Sequence, residues 1–336
     1  MRIWFNHWFS TAYYLIEFMK KDSIEDLTFI GTNRNSNAVY FLKTDENYTE
    51  PQGKTAEEYV DNCVKFCREK KIDVFVPRNY LTDVVKYQEK FEAEGVKLFA
   101  NKNKELMEIV DDKIKTYDFF VSNGIDCIPV VRTAHNIDEF IDFYNELKSD
   151  DIRLCYKLVI DEGARSFRVI DDKLETSRGL FEAPGMKVTF ETAIKVLRNY
   201  DFSVPVLIMP YLSGVEISAD CLKTESGNII IPRYKTGGRY SEIRFDKSVM
   251  AECEKIMELL DFDMPMNIQF RMQGDKMFLL EINPRMSGGL MYSVEATGIN
   301  IPSIALNKLL GKNVSWKYPD FDRKVVSYIE TPLSLG

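Results

Sequence analysis

The sequence predicts an α/β protein whose leading part is an open parallel sheet and whose remainder is α+β. Two patterns carry that prediction. Over residues 1 to about 100, short apolar strands alternate with amphipathic helices, as parallel βαβ units require. Further on, NIQFRMQGDKMFLLEIN (267–283) reads as two strands around a turn, each with one oily and one largely polar face. A chain of 336 residues, 45% hydrophobic and 29% charged, has core enough for two or three domains.

In chain order, RIWF is a buried strand, and Ser10 or Thr11 could cap a helix running to Lys20. LTFIGTN is a second strand, Thr55 to Lys70 a helix, DVFVP a third strand, Leu81 to Glu92 a helix and VKLFA a fourth strand. No G-x-G-x-x-G follows the first strand, which argues against a dinucleotide-binding domain. Open parallel sheets gather ligands at the carboxyl ends of their strands. Those ends carry Asn6-His7-Trp8 and Arg78-Asn79. They are either plain loop residues or specificity residues, so His7, Arg78 and Asn79 are kept as candidates. His135, near a helix start, reads as a surface residue.

EIVDDKIKTYDFFVSNGIDCIPVV (108–131) reads as a helix capped by Asp111 or Asp112 and stopped by Gly124, followed by a strand. RLCYKLVIDEGARSFRVI reads as two strands around a tight loop, and Lys157 interrupts an apolar strand, where an ammonium needs a partner such as a phosphate. VLIMPYLSGVEISAD (206–220) is a strand that turns at Leu212-Ser213-Gly214 and continues into Glu216. IIIPRYKTGGRY (229–240) is a basic hairpin, in which Arg233 and Lys235 share strand parity and Arg239 follows the turn. Asp246 to Leu260 is an amphipathic helix.

For 267–283, a pairing centred on Asp275 sets Ile268 opposite Ile282 and Phe270 opposite Leu280. It also sets Gln269 opposite Glu281 and Asn267 opposite Asn283, so oxygens can converge on a hard cation. The bland alternative is a half-exposed hairpin with a wet polar face. Against it stands the turn Pro284-Arg285-x-Ser287-Gly288-Gly289. A carboxylate, an arginine and a glycine turn ahead of a helix suit a phosphate. A helix ending near Gly298, another from Pro302 to Leu310 and a closing strand KVVSYIE complete the chain.

NIQF followed by LLEINPRMSGG resembles the metal-binding core of the ATP-grasp superfamily. It is particularly similar to the synthetase domains of the carbamoyl-phosphate synthase large subunit and to ATP-grasp proteins encoded with tellurite-resistance gene clusters. Weaker resemblance covers most of residues 100 to 312. The resemblance implies an ATP-grasp fold with a pre-ATP-grasp domain at 1–105, a lid-bearing subdomain at 106–208 and a metal-binding core at 209–336. It implies that Gln269, Glu281 and Asn283 bind Mg²⁺, with Mn²⁺ as a substitute, bridging the phosphates of ATP. Lys113 and Lys157 would reach the phosphates, and the loop Glu162 to Arg168 would cover them, with Gly163 supplying backbone and Arg165 or Arg168 assisting. This loop departs from the family pattern: Lys157-Leu158 replaces Lys-Pro, and Gly163 is its one glycine. Pro210 O and Leu212 N–H would read the adenine between Met209 and Tyr211, with Glu216 on the ribose. Many relatives have an acid where Met209 stands. Arg233, Lys235 and Arg285 would act at the transferring phosphoryl group.

The activity so implied is an ATP-dependent carboxylate–amine ligase that passes through an acyl phosphate. Phosphorylation of a carboxylate or bicarbonate and a non-catalytic nucleotide-binding module are the alternatives. The partners expected are a small carboxylate and an amine, with homo-oligomerisation left open. A net charge of −8 with dispersed basic residues argues against a nucleic-acid partner. No run approaches membrane-spanning length, and the N-terminus, broken by Asn6, His7, Ser10 and Thr11, does not read as a signal peptide. The six cysteines lie mostly in apolar runs, with Cys63 and Cys67 stacked on a helix as packing residues. A reduced, cytoplasmic protein is expected.

Overall fold

The computed structural model describes residues 1–22, 26–149, 152–160, 165–174, 185–237, 239–328 and 333–334. The chain packs as two compact units. The first comprises Met1–Asp111, Val215–Phe270 and Glu281–Gly336, and the second Asp112–Gly214 with Arg271–Leu280.

The first unit opens with a five-stranded parallel sheet. Its strands are β1 (Arg2–Asn6), β2 (Thr28–Asn33), β3 (Glu46–Thr49), β4 (Val74–Val76) and β5 (Lys97–Leu98), in the order β3-β2-β1-β4-β5. Helices α1 (Ala12–Lys21), α2 (Ala56–Lys70), α3 (Leu81–Lys86), α4 (Gln88–Glu92) and α5 (Lys104–Asp111) accompany it. Ile3, Trp4 and Phe5 are fully buried. A strand covered on both faces reads as an unbroken apolar run, which explains RIWF. The polar strand β3, ENYT, gives no such signal. The helix expected over 81–92 is two pieces, because the backbone at Tyr87 (φ −109°, ψ 29°) leaves the helical region. VKLFA pairs only through Lys97 and Leu98, since its neighbour β4 is three residues long. Cys63 and Cys67 are buried on α2, and burial pushes both thiols up.

A buried polar chain fixes the carboxyl edge of this sheet. Glu50, 2% exposed, accepts from Thr32 Oγ1 at 2.6 Å and from the Tyr59 hydroxyl at 2.5 Å. Tyr59 in turn accepts from Asn6 Nδ2 at 2.8 Å. Burial pushes the Glu50 carboxyl up to about 7, and its hydrogen bonds to Thr32 and Tyr59 oppose that rise.

The rest of the first unit is built on a six-stranded sheet of order β15-β14-β11-β12-β13-β16. Its strands are β11 (Glu216–Thr224), β12 (Gly227–Lys235), β13 (Tyr240–Arg244), β14 (Met266–Gln273), β15 (Lys276–Asn283) and β16 (Arg323–Ser327). Helices α9 (Lys247–Leu260), α10 (Leu290–Thr297) and α11 (Ile301–Leu309) complete it. One hydrophobic core joins this sheet to the leading one: Phe5, Trp8 and Ile16 share it with Leu222, Ile231, Met286 and Ile304. Asn300 ties them by hydrogen bonds. Its Nδ2 donates to Phe18 O (2.8 Å) and Asp22 Oδ2 (2.5 Å) at the end of α1, while its Oδ1 caps α11 through Ser303 N.

The second unit holds a five-stranded sheet of order β6-β10-β7-β8-β9. Its strands are β6 (Arg132–Ala134), β7 (Leu154–Leu158), β8 (Arg168–Ile170), β9 (Lys187–Val188) and β10 (Val206–Pro210). Helices α6 (Lys113–Ser122), α7 (Ile137–Leu147) and α8 (Phe190–Leu197) belong with it. One core layer contains Phe140, Leu154, Val206 and Ile208; another contains Tyr117, Cys155, Leu207 and Met209, with Phe278 and Leu280 from the hairpin tip. Asp112 caps α6, accepting from Ile114 N and Lys115 N. The strand expected before residue 131 begins instead at Arg132. Pro129 cannot donate to a ladder, and the preceding segment bonds instead to the distant hairpin, with Cys127 O accepting from Leu279 N at 2.7 Å. Among the described residues no helix is long and apolar enough to cross a membrane.

Two outcomes follow from these contacts. Asn300→Ala is expected to cost about 2 kcal/mol in denaturant unfolding, through loss of a cap and of bonds to α1. Because the folded Glu50 carboxyl titrates above its unfolded value, its contribution is full at low pH and is lost as pH rises toward about 7. The stability difference between wild type and Glu50→Gln should therefore change between about pH 4.5 and 7 and be flat outside that window.

Candidate functional site

In the first unit, β14 and β15 are neighbouring strands, and both Gln269 and the Glu281–Asn283 pair are half-buried. Asn283 Nδ2 donates to Glu281 Oε1 at 3.1 Å, so those two side chains share a face. Gln269 Nε2 donates to Asn267 Oδ1 at 3.1 Å. The faces differ from expectation at two points. Asn267, expected on the polar face opposite Asn283 with its oxygen toward a cation, is fully buried and donates to Asp220, and Leu279, assigned to the polar side of β15, is fully buried as well. Strand β15 is covered on both sides near its tip, since Phe278 and Leu280 also pack into a core.

Beneath the hairpin lies a buried polar network centred on Asp220 of β11, which is 2% exposed. Its Oδ1 accepts from Asn267 Nδ2 (2.8 Å) and Ser287 Oγ (2.7 Å), and its Oδ2 from Ser293 Oγ (2.6 Å). Arg233, 4% exposed, faces it from β12, with Nε 3.9 Å from Asp220 Oδ2. Its Nη2 donates to Ser218 Oγ at 3.1 Å and to Ser287 Oγ at 3.5 Å. The guanidinium occupies the space beside Gly289, where a Cβ would sit 2.6 Å from Arg233 Cζ. Glycine is needed there for close approach, and its backbone opens the turn into α10. The network escaped sequence reading, although a signal existed: Asp220 interrupts the apolar strand ISADCLK as Lys157 interrupts its own strand.

The turn itself is pinned from several sides. Arg285 N donates to Asn283 O at 2.8 Å, and Asn101 donates from Nδ2 to Pro284 O at 3.4 Å while accepting from Met264 N. Arg285 also lies over the Phe9 ring, 5.1 Å from its centroid. Glu216 and Lys235 are directly paired across β11 and β12, and their side chains form an ion pair. Arg233 and Lys235 thus share strand parity, but Arg233 is interior and Lys235 is exposed.

In the second unit, Lys113 is buried at the first turn of α6, with Nζ donating to Val159 O at 3.3 Å. Lys157 is half-buried on β7, its backbone paired with Leu207 of β10. Arg165 is exposed and its carbonyl accepts from Arg168 Nη1; Gly163 lies outside the described residues. Met209 and Pro210 close β10, paired with Cys155 and Leu154. Tyr211 follows, its N–H on Arg153 O, with the Arg153 and Arg271 guanidiniums 5.2 and 5.9 Å from its ring centroid. Leu212 is buried. Gly214 then presses on Met272: its N–H donates to Met272 O at 3.0 Å, and a Cβ would lie 2.3 Å from that oxygen.

Among the described residues no three His, Cys, Asp or Glu side chains gather as a metal cluster. The hairpin set suits a different cation. One carboxylate plus amide oxygens leaves most of a hard ion's coordination to phosphate oxygens and water, as Mg²⁺ prefers.

Residues 202–332 match a family model described as ATP-grasp in the biosynthetic pathway with Ter operon. A carbamoyl phosphate synthase large chain from Clostridium acetobutylicum is 23% identical over a 272-residue alignment that covers 76% of this chain and 24% of that protein. The chain thus spans about a quarter of that relative's length. The biotin carboxylase domain of Hydrogenobacter thermophilus 2-oxoglutarate carboxylase, solved with MgADP and bicarbonate, superimposes with a TM-score of 0.67 at 13% identity. That match covers 96% of this chain and 73% of the other. An L-amino acid ligase from Bacillus licheniformis gives 0.65 at 15% identity, covering 92% and 74%.

Removing the central carboxylate should be the costliest change in this region. Asp220→Ala strands a buried guanidinium and is expected to lose about 3–5 kcal/mol of stability in urea titration. Ser293→Ala, which deletes a single donor, should lose about 1 kcal/mol.

Proposed function

Because this chain carries the fold of the ATP-grasp superfamily, we propose that it is an ATP-dependent carboxylate–amine ligase. The γ-phosphoryl group of ATP passes to a substrate carboxylate, an amine attacks the acyl phosphate, and an amide, ADP and phosphate leave. The observation that carries this reading is the join of Glu281 and Asn283, which share a face, to the Pro284–Gly289 turn, whose Ser287 is held by the buried Asp220 network.

Mg²⁺, with Mn²⁺ able to substitute, would be held by Glu281, Asn283 and Gln269; when bound it neutralises charge on the phosphates. Arg285 stands one residue beyond Pro284 and stabilises charge on the transferring group. Lys113 and Lys157 bind phosphate oxygens, with Arg165 assisting. Pro210 O and Leu212 N–H read the adenine edge, Met209 and Tyr211 line it, and Glu216 takes the ribose hydroxyls. Lys235, paired with Glu216, is a further cation for the phosphates. The interior position of Arg233 supports an indirect role, in which it fixes Ser287 and Gly289 so that the turn keeps its shape. Its proposed domain organisation is a leading domain over 1–105, a lid-bearing subdomain over 106–208 and a metal-binding core subdomain over 209–336.

A second reading, phosphorylation of bicarbonate or another carboxylate without amide formation, is favoured by the likeness to carbamoyl phosphate synthase and biotin carboxylase. The two separate cleanly. Hydroxylamine should trap the acyl phosphate in step with ADP release under both, as a hydroxamate from a carboxylic acid or as N-hydroxycarbamate from bicarbonate, while dependence of steady turnover on an added amine marks the ligase. Glu281→Gln should lower ATP turnover by about 100-fold or more with the fold intact by circular dichroism. Unchanged turnover in that variant would remove the metal site from the mechanism.

A further inference from the structure

Each strand of the hairpin carries two polar side chains spaced two residues apart, which therefore share a face. On β15 they are Glu281 and Asn283, and on β14 Asn267 and Gln269. In both pairs the amide nitrogen of the second residue is held by the first. Asn283 Nδ2 donates to Glu281 Oε1, and Gln269 Nε2 to Asn267 Oδ1, each at 3.1 Å. A carboxamide has two unlike ends, because its nitrogen only donates and its oxygen only accepts. With the nitrogen held, the oxygen is the end that each amide presents elsewhere.

The two pairs differ in how that polarity is set. Glu281 is a carboxylate, so either of its oxygens accepts. Asn267 is itself an amide, and turned about it would offer Nδ2 to Gln269. Gln269 would then answer with its oxygen and present its NH₂ group instead. The buried network beneath the hairpin prevents this. Asn267 Nδ2 lies 2.8 Å from Asp220 Oδ1 and 3.1 Å from Ala219 O, a carboxylate and a carbonyl that accept and do not donate. Turning the amide would set its oxygen against both, in an interior where an unsatisfied polar group is costly. Ser218 acts on the other end. Its Oγ accepts from Arg233 Nη2 at 3.1 Å and from Asn267 Nδ2 at 3.0 Å, so its one proton goes to Asn267 Oδ1 at 3.2 Å. Arginine has no acceptor, so the direction of this chain cannot reverse. Ser218, Asp220, Arg233 and Asn267 are all at most 4% exposed, which denies bulk water the place of any partner.

We propose that Asn267 is a positioning residue. Held one way round by Asp220, Ala219 and Ser218, it fixes Gln269 with its nitrogen engaged and its oxygen presented. A neutral amide thereby supplies the oxygen that a hard cation takes. That the cation is Mg²⁺ rests on the reading above; the orientation of the amide does not.

The Mn²⁺ affinity of the ADP-bound protein, measured by electron paramagnetic resonance, tests the relay in a double-mutant cycle. Asn267→Leu should weaken Mn²⁺ binding by about 10-fold or more. In the Gln269→Glu background the same change should shift affinity by no more than about two-fold, because a carboxylate has no wrong end to present. An equal loss in both backgrounds overturns the proposal, since Asn267 would then act through the fold alone. Unchanged affinity in a folded Asn267→Leu protein overturns it as well. A second measurement needs no substitution. Gln273 is exposed, and its bonded end is the oxygen, which accepts from Ser213 N at 2.9 Å. In the metal-free protein the side-chain amide protons of Gln269 should exchange about 10-fold or more slowly than those of Gln273, read by NMR. Comparable exchange at the two residues overturns the relay. Should Gln269→Ala leave Mn²⁺ affinity unchanged while the wild-type Gln269 protons are slow, the metal assignment falls and the orientation stands.

Discussion

A buried carboxylate, Asp220, accepts hydrogen bonds from three separate segments: Asn267 on β14, Ser287 in the glycine turn and Ser293 on α10. Charges seldom enter an interior unless paired, and here the partner is the Arg233 guanidinium on the adjacent strand. Such a pair adds little net stability against an apolar replacement, but it fixes relative positions, because breaking either half leaves a charge stranded. The segments it fixes are the ones that carry the candidate chemistry. Asn267 orients Gln269, and Ser287 sets the turn from which Arg285 projects.

That arrangement gives the glycines a physical role. Gly289 is required because the Arg233 guanidinium packs where its Cβ would be. Gly214 performs a similar service in the second unit, where the turn that follows Leu212 lies against the backbone of Met272. In both places a side chain would push apart elements whose separation defines the site.

The sequence disclosed the residues whose chemistry is local. Glu281, Asn283 and Arg285 sit within five positions, and strand periodicity, a following glycine turn and the family resemblance together mark them as candidates. Cys63 and Cys67 were readable as core because four-residue spacing stacks side chains on one helix face. What escaped was set by distant packing. Leu279 looked polar-facing by alternation, yet the hairpin tip is covered on both sides, with Cys127 O bonded to its N–H. Asn267 looked to face a cation opposite Asn283 and is instead the buried link to Asp220. The strand ENYT is polar because it edges its sheet, and the helix over 81–92 breaks at Tyr87 without a proline or glycine to announce it. The two units are likewise discontinuous in sequence, since Arg271–Leu280 packs with residues 112–214, and no local pattern encodes that.

The role given to the hairpin is tested most directly by anomalous scattering from crystals grown with Mn²⁺ and ADP. A manganese peak about 2.2 Å from oxygens of Glu281 and Asn283, beside the ADP phosphates, is the expected result. Bound ADP with manganese coordinated elsewhere, or with no manganese at Glu281, would contradict it.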